Sequence, residues 1–246
     1  MADAMSSLDL PEHVCELEKN EKFSFRCGPT VRCFNECCRQ LDLALTPYDV
    51  LRLRKGLRIT SGEFLDRYTV VELAEGEAFP QVFLAMIDDG RASCPFVTDT
   101  GCSVYQDRPG ACRAYPVGRA AFLDHDGKPS DFFVLLTEPH CRGFSDGEER
   151  TVTTWSDDQG LDAYNRINDL MMKITHHPKI REGFRPDREQ MNRFMVLYDL
   201  DGFRKSQNTI PTLNNCNMEG NSQFAGLDDE ALLKRVIHQL QYELFT

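Results

Sequence analysis

Eight of the chain's ten cysteines fall between Cys27 and Cys141. They form two blocks and an outlier. The first block is Cys27-Gly-Pro-Thr-Val-Arg-Cys33-Phe-Asn-Glu-Cys37-Cys38; the second is Cys94-Pro-Phe-Val-Thr-Asp-Thr-Gly-Cys102, reaching on to Cys112. Cys141 follows further along, next to His140. Thiolates on short loops can converge on one ion or cluster, and Gly28, Pro29, Pro95 and Gly101 permit the tight backbone that convergence needs. The vicinal pair Cys37 and Cys38 is informative, because adjacent side chains diverge on a helix or a strand and rarely both bind one tetrahedral ion. Either each serves a different centre, or both reach different metals of one polynuclear cluster. Eight cysteines fill two four-thiolate sites, although His140 or a carboxylate could replace a thiolate.

The spacing bears on the metal. Structural zinc sites favour paired Cys-x2-4-Cys knuckles. Within the blocks and on to Cys141 the gaps are five, three, zero, seven, nine and twenty-eight residues, so no such pairing stands out. Iron–sulfur clusters take irregular spacings and almost only thiolates, in keeping with the scarcity of histidine near the blocks. An iron–sulfur centre is the reading, with zinc the alternative. Metal-free redox thiols rank lower, since there is no Cys-x-x-Cys.

Other residues have two readings each. Arg108 and Arg113 can neutralise a thiolate-ligated cofactor or bind an anionic ligand; the alternative is an ion pair with Asp107 or Glu138. Tyr105 and Tyr115 can donate to cluster sulfur or simply pack on the core. His177, before Pro178, suits a helix C-terminus together with His176. Cys15 and Cys216 lie outside the blocks and read as ordinary thiols, and Trp155 as an anchor between the two halves. No Ser–His–Asp arrangement, phosphate loop or His-Glu-x-x-His helix is present.

The elements that must position these residues imply an α+β fold with three parts. Residues 1–26 form a lead-in with a short helix around Pro11–Lys19. Residues 27–149 form a cysteine-cluster metal-binding domain, its first block too rich in turn formers for regular structure. Helices are expected at Pro47–Leu57, capped by Thr46, and at Ser61–Tyr68, where Thr60 and Glu63 have capping-box spacing. Strands are expected at Val70–Ala74 and Gln81–Ile87, and a hairpin at Ala120–Asp124 and Asp131–Thr137, joined through His125-Asp126-Gly127-Lys128-Pro129. Residues 150–246 form a helical cap, with apolar positions at helical spacing: Leu161, Tyr164, Ile167, Met171 and Ile174; Met191, Phe194, Met195 and Tyr198; and Leu232 to Leu244. Cys216 sits there in a polar loop.

Composition excludes other classes. Hydrophobic content of 41% and charged content of 27% are those of a globular chain. The formal charge of −11 repels nucleic-acid backbones and anionic membranes, so neither is expected as a partner. Arg52, Arg54, Lys55 and Arg58 read as a solvated helix face. The acidic N-terminus lacks the basic start and apolar core of a secretory signal, and no apolar run approaches the ~20 residues that span a bilayer. The expected location is cytoplasmic, where disulfides are disfavoured and many cysteines point to metal or redox chemistry.

The run Cys94-Pro-Phe-Val…Gly101-Cys102-Ser-Val-Tyr105-Gln-Asp-Arg108-Pro-Gly-Ala-Cys112-Arg113-Ala-Tyr115-Pro116, preceded by Cys33-x3-Cys37-Cys38, resembles the YkgJ-type cysteine-cluster proteins. That zinc- or iron-chelating family includes the flagellin lysine-N-methylases, and the likeness covers about residues 25–145. It implies a metal centre held by Cys27, Cys33, Cys37, Cys38, Cys94, Cys102, Cys112 and Cys141. It also leaves three functions open. One is electron transfer or accessory redox and metal handling, with another protein as redox partner. The second is transfer of a methyl group from S-adenosylmethionine to a protein lysine, and the third is a zinc-stabilised interaction module. Against the second, the chain has no Gly-rich strand–loop–helix for that cofactor and no Cys-x3-Cys-x2-Cys radical motif. Whether the protein is an enzyme stays open.

Overall fold

The structure is a computed structural model that describes residues 10–123, 129–145, 147–209, 224 and 226–246. Most of the expected hairpin connection at 125–129, and the whole loop around Cys216, lie outside the described residues. Small antiparallel sheets and helices alternate, which makes the fold α+β.

The first element among the described residues is β1 (Val14–Leu17), where the sequence leads one to expect a helix. The segment instead pairs with a distant strand, setting Val14 opposite Leu136 and Leu17 opposite Phe133. A nine-residue helix is marginal in water, whereas the pairing satisfies the backbone and buries Leu17. In β2 (Phe23–Phe25) the two phenylalanines share one buried face.

After the first cysteine block come β3 (Ala44–Leu45), α1 (Pro47–Leu57) and α2 (Ser61–Tyr68). Both helices start as the sequence predicts. Thr46 with Asp49, and Thr60 with Glu63, form complete capping boxes. The following strands are shorter or shifted: β4 (Thr69–Glu72) begins directly at the α2 C-terminus, and β5 (Gln81–Leu84) stops where Ala85 N–H turns back to the Tyr68 carbonyl. β5 lies between β3 and β4.

The second block is built on a tiny hairpin, β6 (Val97–Thr98) and β7 (Gly101–Cys102), followed by α3 (Gly110–Ala114). Next come β8 (Val117–Leu123) and β9 (Pro129–Leu136), the expected hairpin strands, and β10 (Glu148–Arg150), which pairs with β2. β9 is the centre of the β1–β9–β8 sheet. The C-terminal part is helical: α4 (Val152–Gln159), α5 (Asp162–Thr175), α6 (Pro178–Arg181), α7 (Arg188–Met195), α8 (Leu200–Thr209) and α9 (Asp229–Phe245). Among the described residues no helix is long and apolar enough to cross a membrane.

Two apolar cores result. The larger joins α1, α2 and β5 to α5, α7 and α9 through fully enclosed residues such as Leu53, Phe64, Val82, Ile167, Leu197, Leu232 and Ile237. The smaller is Leu17, Phe23, Phe25, Val117, Val152 and Trp155. Trp155 packs edge-on against Phe25, and its indole N–H donates to the Ala114 carbonyl at 2.8 Å, tying α4 to α3. The α1 basic residues are not a uniform solvated face. Arg52 pairs with Asp107, and Arg54 with Asp201 and Asp229, while Lys55 and Arg58 stay exposed.

Candidate metal centre

Four successive backbone bonds curl the first block: Val31 N–H to Gly28 O, Phe34 to Val31, Glu36 to Cys33 and Cys38 to Asn35, at 2.9–3.1 Å. Asn35 adopts φ +69°, a left-handed conformation that asparagine tolerates better than most residues. It opens a one-turn 3₁₀ helix, Glu36–Cys38, which carries the vicinal thiols. The side-chain amide of Asn35 donates to the Thr98 carbonyl at 2.9 Å and joins the two blocks.

In the second block, Cys94 N–H donates to the Cys38 carbonyl at 2.8 Å, which fixes it beside the vicinal pair. The chain then turns around its own sulfur, with Phe96 N–H donating to Cys94 Sγ at 3.5 Å. Gly101, at φ +122°, makes the hairpin turn; a Cβ there would also come within 3.2 Å of the Phe34 ring. Cys112 rides on α3, whose first amide, Gly110 N–H, donates at 2.7 Å to buried Asp49. Cys141 returns from far along the chain. Its neighbour Arg142 donates a backbone N–H to Cys33 Sγ at 3.1 Å, and Gly143 N–H donates to Cys141 Sγ at 3.5 Å.

The thiols gather in two neighbourhoods. Cys27, Cys33, Cys37 and Cys141 line one cavity of about 10 Å³, which has room for about one water-sized body. Burial, then Cys37, Cys33 and Cys141, push the Cys27 thiol up to about 11. Cys112 is pushed up to about 12 by burial, then by Cys94, Asp49, Cys102 and Cys37. Both residues keep solvent-facing surface, so their shifts come from crowding on one side of the thiol. Burial raises Cys94 and Cys102 as well. The neighbouring thiols Cys37 and Cys38 act on each other: Cys38 is held well above the usual thiol range and Cys37 is lowered to about 7, in each case chiefly through the adjacent thiol.

Among the described residues, no three His, Cys, Asp or Glu side chains are already drawn together as one metal ion would hold them. The donor set nonetheless fits a thiolate-bound metal on three counts. Four cysteines line one small cavity. Backbone amides already point at Cys33, Cys94 and Cys141. Finally, the Tyr115 hydroxyl is buried with no conventional hydrogen-bond partner, and Cys141 and Glu138 are its polar neighbours. A buried hydroxyl left unpaired costs ~1–3 kcal/mol, and a charged sulfur is an acceptor that removes that cost.

Neither Arg108 nor Arg113 forms an ion pair among the described residues, and Asp107 is taken by Arg52. Arg108 is 8% exposed, lies over the Tyr105 ring at 3.8 Å, and donates to the Tyr105 carbonyl and to Gln159. Burial lowers its pKa, while Tyr105 and the thiols of Cys102 and Cys112 oppose that shift. Arg113 is spent on the carbonyls of Gln106, Arg108 and Gln159 and on the Tyr164 hydroxyl, and so braces α3 against α4 and α5. His140 lines the cavity and faces Glu138 at 3.7 Å. Tyr105 is 55% exposed and directs its ring at Arg108, whereas Cys15 is exposed on β1, away from both neighbourhoods. Sequence reasoning passed over Asp49, Gln159 and Gly143; only Asp49 had a local signal, its capping-box spacing from Thr46.

The thiols are presented on turns, with backbone amides donating to three of the sulfurs. Residues 26–142 match the model of the CxxCxxCC family, described as "Putative zinc- or iron-chelating domain". The spacing in the family's name is widened here to five and three residues in Cys27-x5-Cys33-x3-Cys37-Cys38. No curated protein and no solved structure matches the chain.

Proposed function

We propose that the cysteine-cluster domain carries an iron–sulfur centre and works in electron transfer or in accessory redox and metal handling, with another protein as its partner. The observation that best supports this is Arg108, a buried cation with no carboxylate partner whose charged neighbours include the thiols of Cys102 and Cys112. Burying a cation costs several kcal/mol unless a counter-charge is present. A thiolate-ligated iron–sulfur centre is anionic and supplies that charge. Bound here, it would provide one-electron chemistry.

The chain's own groups then have defined tasks. The eight cysteines from Cys27 to Cys141 hold the metal. The amides of Phe96, Arg142 and Gly143 donate to sulfur, which favours the more negative, reduced state. Tyr115 and the crowded backbone limit the access of water. Zinc is the second reading, favoured by the small four-cysteine cavity.

Anaerobic purification with iron, sulfide and zinc analysis tests the proposal. A brown protein with thiolate-to-iron charge-transfer absorption and stoichiometric sulfide is expected. A colourless chain with stoichiometric zinc overturns the iron–sulfur reading.

A further inference from the structure

We propose that the eight cysteines form two separate four-thiolate centres, divided at the Cys37–Cys38 peptide bond. Cys27, Cys33, Cys37 and Cys141 make one centre, and Cys38, Cys94, Cys102 and Cys112 the other. This rests on the reading that the domain binds metal, but it does not depend on which metal.

Three independent features carry the division. The cavity of about 10 Å³ is lined by all four cysteines of the first set and by none of the second. Main-chain bonding follows the same line: Arg142 N–H reaches Cys33 Sγ within the first set, and Cys94 N–H reaches the Cys38 carbonyl within the second. The apolar surroundings differ as well. Cys141 packs on the smaller core, while Cys94 and Cys102 pack on the larger.

The two sets also differ in their polar neighbours. Tyr115 and His140 stand at the first, while Arg108 acts on Cys102 and Cys112 of the second and also on Cys27 of the first. The centres are therefore expected to differ in lability. The second has a fixed counter-cation and an α3 support braced by Asp49 and Arg113; the first depends on a loop that returns from β9.

The test is metal per chain in the full-length protein purified without oxygen, for Cys33→Ala, Cys141→Ala, Cys94→Ala, Cys102→Ala and paired combinations. A single change is expected to remove one centre's metal and leave the other's. A pair within one set is expected to lose no more than either single change, whereas a pair across sets loses all. A single change that empties the chain, or losses that group differently, overturns the division. Because a variant could fail to fold, the wild-type chain provides a second measurement: titrating its thiols with a mercurial while released metal is captured by a chromophoric chelator. Once the two thiols outside the set, Cys15 and Cys216, have reacted, release in two steps of four thiols each is expected, and one continuous step overturns the division. A wild-type chain that takes up neither zinc nor iron with sulfide removes the metal-binding reading itself, and this result is distinct from either of the others.

Discussion

Replacing Arg108 tests whether charge, rather than hydrogen bonding, couples this residue to the metal. The side chain is 8% exposed; it contacts the Tyr105 carbonyl at 2.6 Å, Gln159 and the Tyr105 ring, and the thiols of Cys102 and Cys112 act on its charge. With the cation taken as ~6 Å from the centre and an effective dielectric constant of ~20, one unit charge contributes ~3 kcal/mol. For a one-electron couple that is ~120 mV. Reduction adds negative charge, so loss of the cation disfavours the reduced state. Arg108→Gln is therefore expected to lower the midpoint potential by ~100 mV, or, if the metal is zinc, to weaken binding by ~100-fold.

Stability should respond much less. Glutamine gives up charge-assisted hydrogen bonds worth ~1.5–3 kcal/mol each, but it also removes the cost of burying an unpaired cation. The metal-free Gln variant is accordingly expected within ~2 kcal/mol of the wild type in urea unfolding. Arg108→Lys keeps the charge but not the planar fork, and should stay within ~30 mV of the wild type. The assay is an anaerobic redox titration followed by visible absorption, with metal content measured on the same samples. If the Gln and Lys variants shift equally, or if Gln retains its metal with an unchanged potential, the charge argument is wrong.

Two further perturbations follow from backbone packing and burial. At Gly143 a Cβ would lie 2.5 Å from the Phe25 ring and 2.8 Å from the Arg26 carbonyl, so Gly143→Ala must push the Cys141 loop off the strand leading to Cys27. Overpacking of this kind costs ~1–3 kcal/mol, and metal analysis should show loss from the Cys141 side while the Cys94 side keeps its metal; uniform loss would contradict this. Asp49 is held above its ordinary value of 3.8 by burial, against hydrogen bonds from Gly110 and Thr46 and the charge of Arg113. The folded state then binds more protons than the unfolded state, so this group's contribution to stability declines as pH rises from 3.8. Asp49→Asn cannot titrate and also weakens a cap worth ~0.5–2 kcal/mol. Its deficit relative to wild type should be largest near pH 4 and shrink towards neutrality in thermal melts, and a deficit that grew with pH would reverse the assignment.

What could be read from the sequence was local. Thr46 and Thr60 announce their helices because a capping box is complete within four residues. The apolar spacing of α5 and α9 survives because each helix buries one continuous face. Errors arose wherever the deciding partner was distant. β1 owes its conformation to β9, well over a hundred residues away, and Arg52 and Arg54 find carboxylates on Asp107, Asp201 and Asp229. The cysteines show both sides of this. Their types and blocks were legible, but their grouping was not, because Cys141 reaches Cys33 only through the return of the chain after β9.

That return gives the metal a structural consequence. Six side chains make up the smaller core, which is too few to hold β1, β2 and the β8–β9 hairpin securely by apolar burial alone. The links from this region to the larger core include the indole–Ala114 bond, the Arg119–Asp169 ion pair between β8 and α5, and the bonds made by α3. Metal binds only the folded arrangement of thiols, so its binding energy is also folding energy. The cysteines that line the cavity lie at the edge of the weaker core, with Cys141 packed against it and Phe25 sharing the cavity wall. A metal held at the proposed four-cysteine centre would therefore add stability where apolar burial provides least.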